Sequence, residues 1–411
     1  MPLRTLPSLA AVLFLFVSIG PAAADSPPAT GNAVIDTTVQ IVDKNFYSQA
    51  ALPAFHDAVK AAIAAARSKP LDATSTEPAI LSALGASHTG RYTTDELDYY
   101  ELAGVFRFAL RDDIRRLFPP DGRVAYDGIG IATKEIGGLR FITAVYDGSP
   151  AAHAGLAEGD EIVSAGGKPF AEIGSFAGKA GGTVALQIRR RAGDAPTTVV
   201  VPVERIDPQQ EFVDAISSSI RVVENDGRKI GVIHLWSYTT DRITGIVNEA
   251  LATKLKDVDG LILDLRSRWG GGPPDAADSF VGDGVDMRVV DRDGDVHYVN
   301  TAFRRPVVAI IDGGTRSSME ILAYSLKKNG IPLVGAPTAG NVLAASAYAL
   351  PDNSLLELAV ADVILDGKRL EDHPIVPDVP VAFDVRYAAG ADPQFDAALA
   401  ELSRRLGEGV N

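Results

Sequence analysis

At Asp121 the texture of the chain changes, and that change limits the possible folds more than any other feature. Before it, apolar residues recur at helical spacing: Ile35, Val39, Val42 and Phe46, then Phe55, Val59 and Ile63. A short helix is predicted near Pro78–Leu84, then a loop at Gly85–Gly90, then one helical stretch from about Thr94 to Leu117, closed by Pro119-Pro120. From Asp121 to about Glu204 the pattern is short alternating runs separated by glycine turns. These runs are Gly128–Thr133, Leu139–Val145, Glu161–Ala165, Thr183–Arg189 and Thr197–Val203, which predict an antiparallel β module. From Glu211 onward, apolar and partly β-branched runs alternate with helical patterns. The runs are Lys229–Leu235, Gly260–Leu265, Val307–Ile311, Pro332–Gly335 and Leu355–Val360; the helices are Thr244–Leu255, Ser317–Lys328 and Asp275–Phe280. Such alternation predicts an α/β core with buried strands. The expected organisation is a helical region (25–120), a β module (121–206) and the α/β core (207–411).

Residues 1–24 stand outside this pattern. Arg4 gives a positive start, Leu9 to Ile19 is an apolar run, and Ala22, Ala23 and Ala24 offer a small-residue cleavage site. The run is shorter than the ~20 residues a membrane span needs and suits a signal peptide, with cleavage expected after Ala24. The expected product is exported, periplasmic or secreted, with no membrane span after cleavage. The chain has no cysteine, which rules out disulfides, thiol catalysis and thiolate metal sites, so an exported fold must stand on its apolar core. A formal charge of −14 argues against nucleic acid or an anionic membrane as partner. The six histidines are scattered without metal-ligand spacing, and no Gly-Lys-Ser/Thr follows the glycines at 270–272. Neither a metal nor a nucleotide cofactor is expected.

Within the β module, residues 148–160 read Gly-Ser-Pro-Ala-Ala-His-Ala-Gly-Leu-Ala-Glu-Gly-Asp. This segment resembles the signature of a PDZ domain, and Gly128-Ile129-Gly130-Ile131 resembles the carboxylate-binding loop of that family. The resemblance implies that Gly128, Ile129, Gly130 and Ile131 receive a peptide C-terminus while the next strand edge accepts the peptide as an added strand.

Chemistry is concentrated at 307–323, where an apolar strand ends in Gly313-Gly314 and a helix begins around Ser317. A serine there is exposed on a tight turn beside N–H groups at the positive end of a helix, suited to an oxyanion. The plainer reading is that Thr315 or Ser317 only caps the helix. Four ordered segments favour the first. Residues 261–272 (Leu-Ile-Leu-Asp-Leu-Arg-Ser-Arg-Trp-Gly-Gly-Gly), 315–320 (Thr-Arg-Ser-Ser-Met-Glu), 335–341 (Gly-Ala-Pro-Thr-Ala-Gly-Asn) and 375–378 (Ile-Val-Pro-Asp) resemble motifs of the C-terminal processing, or tail-specific, serine peptidases. The resemblance implies a core like that of the crotonase/ClpP superfamily, with Ser317 as nucleophile. Gly270 or Gly271 and Ser318 would supply the oxyanion N–H groups.

The lysine that serves as base in the commonest branch of that family falls on Asn341, whose amide cannot take a proton. Lys327 and Lys328 read as surface charges. Pro-Thr-Ala-Gly-Asn at 337–341 resembles a second branch, which includes the tricorn protease core and photoreceptor retinoid-binding proteins, and whose tricorn-type enzymes take their base from an upstream Ser-His pair. The match here is Ser87-His88, oriented by a late carboxylate, Glu371 or its neighbour Asp372; His373 is a less favoured base. The expected function is an exported serine endopeptidase acting on unfolded or C-terminally recognised polypeptides. The rival is an inactive peptidase-fold protein that binds an apolar ligand or partner protein. Composition leaves the oligomeric state open.

Overall fold

The computed structural model describes residues 27–409, apart from Ser68, 267–269, 273–274, 282–285 and 301–302. The expected signal peptide lies outside the described residues. Three helices open the fold: α1 (Ala33–Asn45), α2 (Leu52–Ala66) and α3 (Ala73–Ser82). Asn32 caps α1 by accepting from the N–H groups of Val34 and Ile35, and Asp72 caps α3 through Ser75 N–H. The Asp72 cap starts α3 upstream of the predicted Pro78, which lies inside the helix. A loop then leads to strand β1 (Gly90–Tyr92) and helix α4 (Leu97–Val105). The predicted helix over 94–117 is broken, because α4 ends at Phe106 and only Ile114–Leu117 is helical again. Between them, Phe108 is exposed while Leu110 is buried in the main core.

The β module forms a five-stranded antiparallel sheet in chain order: β2 (Ile131–Ile136), β3 (Leu139–Val145), β4 (Glu161–Ala165), β5 (Thr183–Arg189) and β6 (Thr197–Pro202). The predicted strand Gly128–Thr133 is split. Tyr126–Gly128 pairs with Glu204–Ile206, and Gly130, at φ +77°, turns the chain into β2. Added at Gly130, a Cβ would lie 2.3 Å from Ser149 Cβ, so only glycine permits this turn. Ser149 caps the short helix Pro150–His153 through Ala152 N–H.

The core continues through α5 (Pro208–Ser219), β7 (Arg221–Asn225), β8 (Arg228–His234), α6 (Asp241–Ala252), β9 (Gly260–Asp264), β10 (Val307–Ile311), α7 (Ser318–Lys328), β11 (Leu333–Gly335), β12 (Leu343–Ala349), β13 (Leu355–Asp362), β14 (Val379–Pro380) and α8 (Pro393–Glu408). Its main sheet has the order β14-β11-β10-β9-β8-β7, parallel except for the antiparallel edge strand β7. Every residue of β9 and β10 is buried, as expected of strands covered on both faces. Ile262, Val308 and Ile310 face Ala398 and Leu402 of α8, while Leu261, Leu263, Ala309 and Ile311 face the cluster holding Phe212, Val247 and Leu322. The period-2 alternation thus assigns α8 to one side and α5, α6 and α7 to the other.

A smaller antiparallel sheet, β1-β13-β12, joins the two ends of the chain: β1 comes from the helical region and its partners from the core. Ile35, Val39, Val42, Phe55 and Val59 pack on its Leu343, Leu356 and Leu358. Burying side chains of this size contributes about 1.5–3 kcal/mol each. The helical region therefore carries the loop before β1 on a rigid base.

Candidate active site

Strand β10 delivers the chain into the turn Asp312–Ser317. Thr315 is spent on this turn, donating to Leu265 O (2.9 Å) and accepting from Asp312 N–H (3.1 Å). Ser317 occupies the N-cap position of α7, yet its side chain makes no capping hydrogen bond. Its backbone sits at φ 58°, ψ −131°, a region that costs a non-glycine residue about 1–3 kcal/mol. The turn is held from both sides. Ser317 N–H donates to Asn341 O (2.9 Å), and buried Glu320, one turn into α7, accepts from Thr338 Oγ1 (2.6 Å), Gly340 N–H (2.8 Å) and Asn341 N–H (2.8 Å). Burial raises the Glu320 pKa, and these hydrogen bonds oppose it. A strained serine with a free hydroxyl is the arrangement of a nucleophile on a strand-to-helix turn.

Gly270 lies against this turn. A Cβ there would fall 2.5 Å from Ser317 Cβ and 2.9 Å from both Ser317 Oγ and Ser318 N. Gly270 O is held by Tyr238 N–H and Ser237 Oγ, which fixes the strip. Gly271, at φ +78°, packs on Thr239. The N–H groups of Gly271 and Ser318 donate to no other described residue. Two donors without a described partner, lining the same cleft as the serine, suit an oxyanion.

Across the cleft, Glu371 binds Ser87 twice, accepting from its N–H (2.9 Å) and its Oγ–H (2.9 Å), and also accepts from Val342 N–H (2.7 Å). Ser87 Oγ lies 2.8 Å from His88 Nδ1. The hydroxyl has one proton, and an ionised Glu371 accepts only, so that proton points to Glu371 and Nδ1–H donates to Ser87 Oγ. This leaves the lone pair on Nε2. His88 is buried, at φ 52°, and its pKa is lowered to about 3, first by burial and then by the charge of Arg316. A neutral imidazole with Nε2 open is the form a general base requires.

His88, Ser317, Gly270, Gly271 and Ser318 all line one cleft of about 240 Å³, whose walls include Val105, Phe106, Ile321 and Val342. Among the described residues no hydrogen bond joins His88 to Ser317. None of the described residues lining the cleft is a lysine. Lys327 binds Val376 O and pairs with Asp378, and Lys328 pairs with Asp366. Asp372 turns away at φ 62° toward Arg369, and His373 Nδ1 bonds Glu371 O outside the cleft. The peptide-loop residues lie elsewhere. Ile129 and Ile131 are in the core of the β module, and Gly128 is in the strand paired with Glu204.

Residues the sequence reading passed over also line the cleft. Arg316 precedes Ser317, and Glu357 is wholly buried on β13. A glutamate inside the apolar run Leu355–Val360 was the available signal, since a charge in a buried strand demands a partner.

Residues 229–381 match the model of peptidase family S41, and residues 141–190 match that of a PDZ domain. The chain is 28% identical, over 76% of its length and 82% of the relative's, to a carboxyl-terminal-processing protease of Picosynechococcus sp.. It is 26% identical to the chloroplastic carboxyl-terminal-processing peptidase 3 of Arabidopsis thaliana, over 73% of this chain and 62% of that one, so it spans less than two thirds of the plant protein. Its fold matches the crystal structure of the tricorn protease with a TM-score of 0.54 at 17% identity, over 91% of this chain and 37% of that one. It matches mature CPAF complexed with lactacystin with a TM-score of 0.50 at 12% identity, over 92% and 99%. Taken with the matched families, a covered α/β sheet and a serine on a strained turn define a serine-type peptidase. The core of the chain is thus similar to peptidase family S41, and the β module ahead of it to a PDZ domain.

Proposed function

We propose that the chain is an exported endopeptidase of the tail-specific type that works by a serine–histidine rather than a serine–lysine arrangement. Ser317 Oγ attacks the scissile carbonyl carbon as His88 Nε2 takes its proton, and the oxyanion settles on the N–H groups of Ser318 and Gly270 or Gly271. His88 then protonates the leaving amine as the C–N bond breaks. Water, deprotonated by His88, hydrolyses the acyl-enzyme and restores Ser317. The observation that carries this reading is the relay Glu371–Ser87–His88, which fixes the imidazole tautomer with Nε2 open on the cleft that holds Ser317.

Substrates would be unfolded polypeptide segments selected by their C-termini. In support, β2 is an edge strand of the PDZ sheet, so a peptide can add to it as a sixth strand, directly after the Gly128–Ile131 turn. Export to the periplasm or medium rests on the first 24 residues and is tested by fractionating cells that express the full chain.

One observation favours the rival reading of an inactive binding protein: His88 and Ser317 share the cleft without a hydrogen bond. In unliganded active sites this bond commonly tightens only with substrate in place. Labelling with a fluorophosphonate probe, followed by peptide mapping, decides between them. Label on Ser317 that is lost in both S317A and H88A supports the peptidase. A folded protein that takes no label points to the binder.

A further inference from the structure

The cleft contains an ion pair that the relay does not use. Glu357 is fully buried; Tyr92 Oη donates to its Oε2 (3.2 Å), and its Oε1 accepts no hydrogen bond from any described residue. Arg316 Nη2 lies 3.9 Å from that Oε1. The two residues belong to the two halves of the proposed machinery. Arg316 adjoins Ser317 in the nucleophile turn. Glu357 lies directly across from Gly90, two residues beyond His88, in the pairing of β13 with β1. Thr89 Oγ1 also accepts from Ala359 N–H at 3.4 Å, so β13 is the strand on which the histidine loop rests.

We propose that Arg316 and Glu357 are positioning residues, an ion pair that ties the nucleophile turn to the strand bearing the histidine loop and fixes a positive charge beside the imidazole. The proposal rests on the serine–histidine reading above. The two partners need one another. A buried carboxylate alone is costly, and burial raises the Glu357 pKa while Arg316 lowers it. Arg316 in turn lowers the pKa of His88, acting with the burial of the ring. Among the described residues, the charged and titratable groups around this point are Arg316 from the turn at Ser317, Glu357 from β13, Tyr92 from β1, Asp98 from α4, and Glu371, which reaches His88 through Ser87. Arg316 is the cation among them, and removing it should let the imidazole protonate more readily.

The test is the titration of histidine ring signals by NMR in the full chain carrying 13C-labelled histidine, with H88A assigning the resonance. In wild type His88 is expected to remain neutral at pH 4.5. In R316Q, and in R316M, which keeps most of the apolar stem, the midpoint should rise by about one pH unit, the usual size for a neighbouring charge. R316K, which keeps the charge, should behave as wild type. A His88 in R316Q and R316M as neutral at pH 4.5 as in wild type overturns the proposal, and so does an equal shift in R316K. The titration is independent of activity. Failure of the serine–histidine reading would appear separately, as H88A protein that takes the fluorophosphonate label as fast as wild type.

Discussion

Substituting alanine at Gly270 tests whether the strip beside Ser317 is part of the catalytic geometry. The added methyl would lie 2.5 Å from Ser317 Cβ and 2.9 Å from Ser317 Oγ and Ser318 N, against 3.4 Å for ordinary contact. Relief requires the strip and the nucleophile turn to part by about 0.9 Å. A displacement near 1 Å at reacting groups costs roughly 100-fold, and loss of one oxyanion donor costs about 100- to 1,000-fold. The second-order rate of fluorophosphonate labelling should therefore fall by about 100-fold or more in G270A. The fold should feel less. Overpacking costs about 1–3 kcal/mol, a Gly→Ala change returns about 0.4–1 kcal/mol of chain entropy, and a chain of this size loses roughly 1 °C in Tm per kcal/mol. Gly313 is the internal control, since a Cβ there meets nothing within 4 Å although it stands four residues before the nucleophile. G313A should label at the wild-type rate. Folded G270A that labels within about threefold of wild type would refute the placement of the oxyanion strip.

Three further outcomes are expected. E371Q replaces one acceptor oxygen of a carboxylate that holds Ser87 N–H, Ser87 Oγ–H and Val342 N–H; labelling should drop by about 10² to 10⁴, on the scale of a mis-set imidazole tautomer, and an unchanged rate would remove Glu371 from the relay. Because the folded pKa of His88 is lowered from its ordinary 6.5 to about 3, its stabilising contribution is complete above 6.5 and is lost as pH falls from there toward 3. Denaturant titrations should show wild type losing stability below pH 6.5 more steeply than H88Q, and labelling should stay level from pH 8 to 5; a rate that halves near 6.5 would mean an exposed imidazole. G130A sets a side chain at φ +77° and 2.3 Å from Ser149 Cβ, so calorimetric binding of peptides with free C-termini should be lost while Ser317 still labels; binding at wild-type affinity would separate this turn from peptide recognition.

The hydrophobic period made β3, β4, β5 and β10 readable to the residue, because each alternates or runs apolar between glycine or proline turns. It failed where tertiary contact sets the boundary. Helix α3 begins at the Asp72 cap and tolerates Pro78, and the stretch after α4 loses its helix although Leu110 and Phe118 are buried in the main core. Helix α8 was passed over although Phe395, Ala398, Leu402 and Leu406 recur at helical spacing and pack on one face of the main sheet. At the site, Ser317, Ser87-His88 and Glu371 were found through motif order rather than periodicity. The choice between Glu371 and Asp372 needed coordinates, since adjacent residues point apart and only Glu371 reaches Ser87. The pairing of Arg316 with Glu357 was not legible, because it depends on the register of β13 against β1.

That register also brings the loop of the proposed base, in the N-terminal region, against the core. Asn341, which the sequence resemblance aligns with the lysine of the commoner arrangement, contributes its backbone: its carbonyl takes Ser317 N–H and its N–H goes to Glu320. The next residue, Val342, gives its N–H to Glu371, and the same carboxylate holds Ser87. One buried glutamate therefore joins the loop that would carry a lysine base to the loop that carries the histidine. The turn at Ser317 is braced by Ser317 N–H on Asn341 O and by the Glu320 carboxylate, which accepts from Thr338 Oγ1 and the N–H groups of Gly340 and Asn341, and none of these bonds requires a particular side chain at 341. An N341K chain should accordingly keep its fold, and the new ammonium would sit beside a cleft already holding Arg316. It should leave the H88A loss of labelling unrescued. Recovery of Ser317 labelling in the N341K/H88A double variant would show that the cleft can still use a lysine, and that the histidine relay replaced it without altering the nucleophile's surroundings.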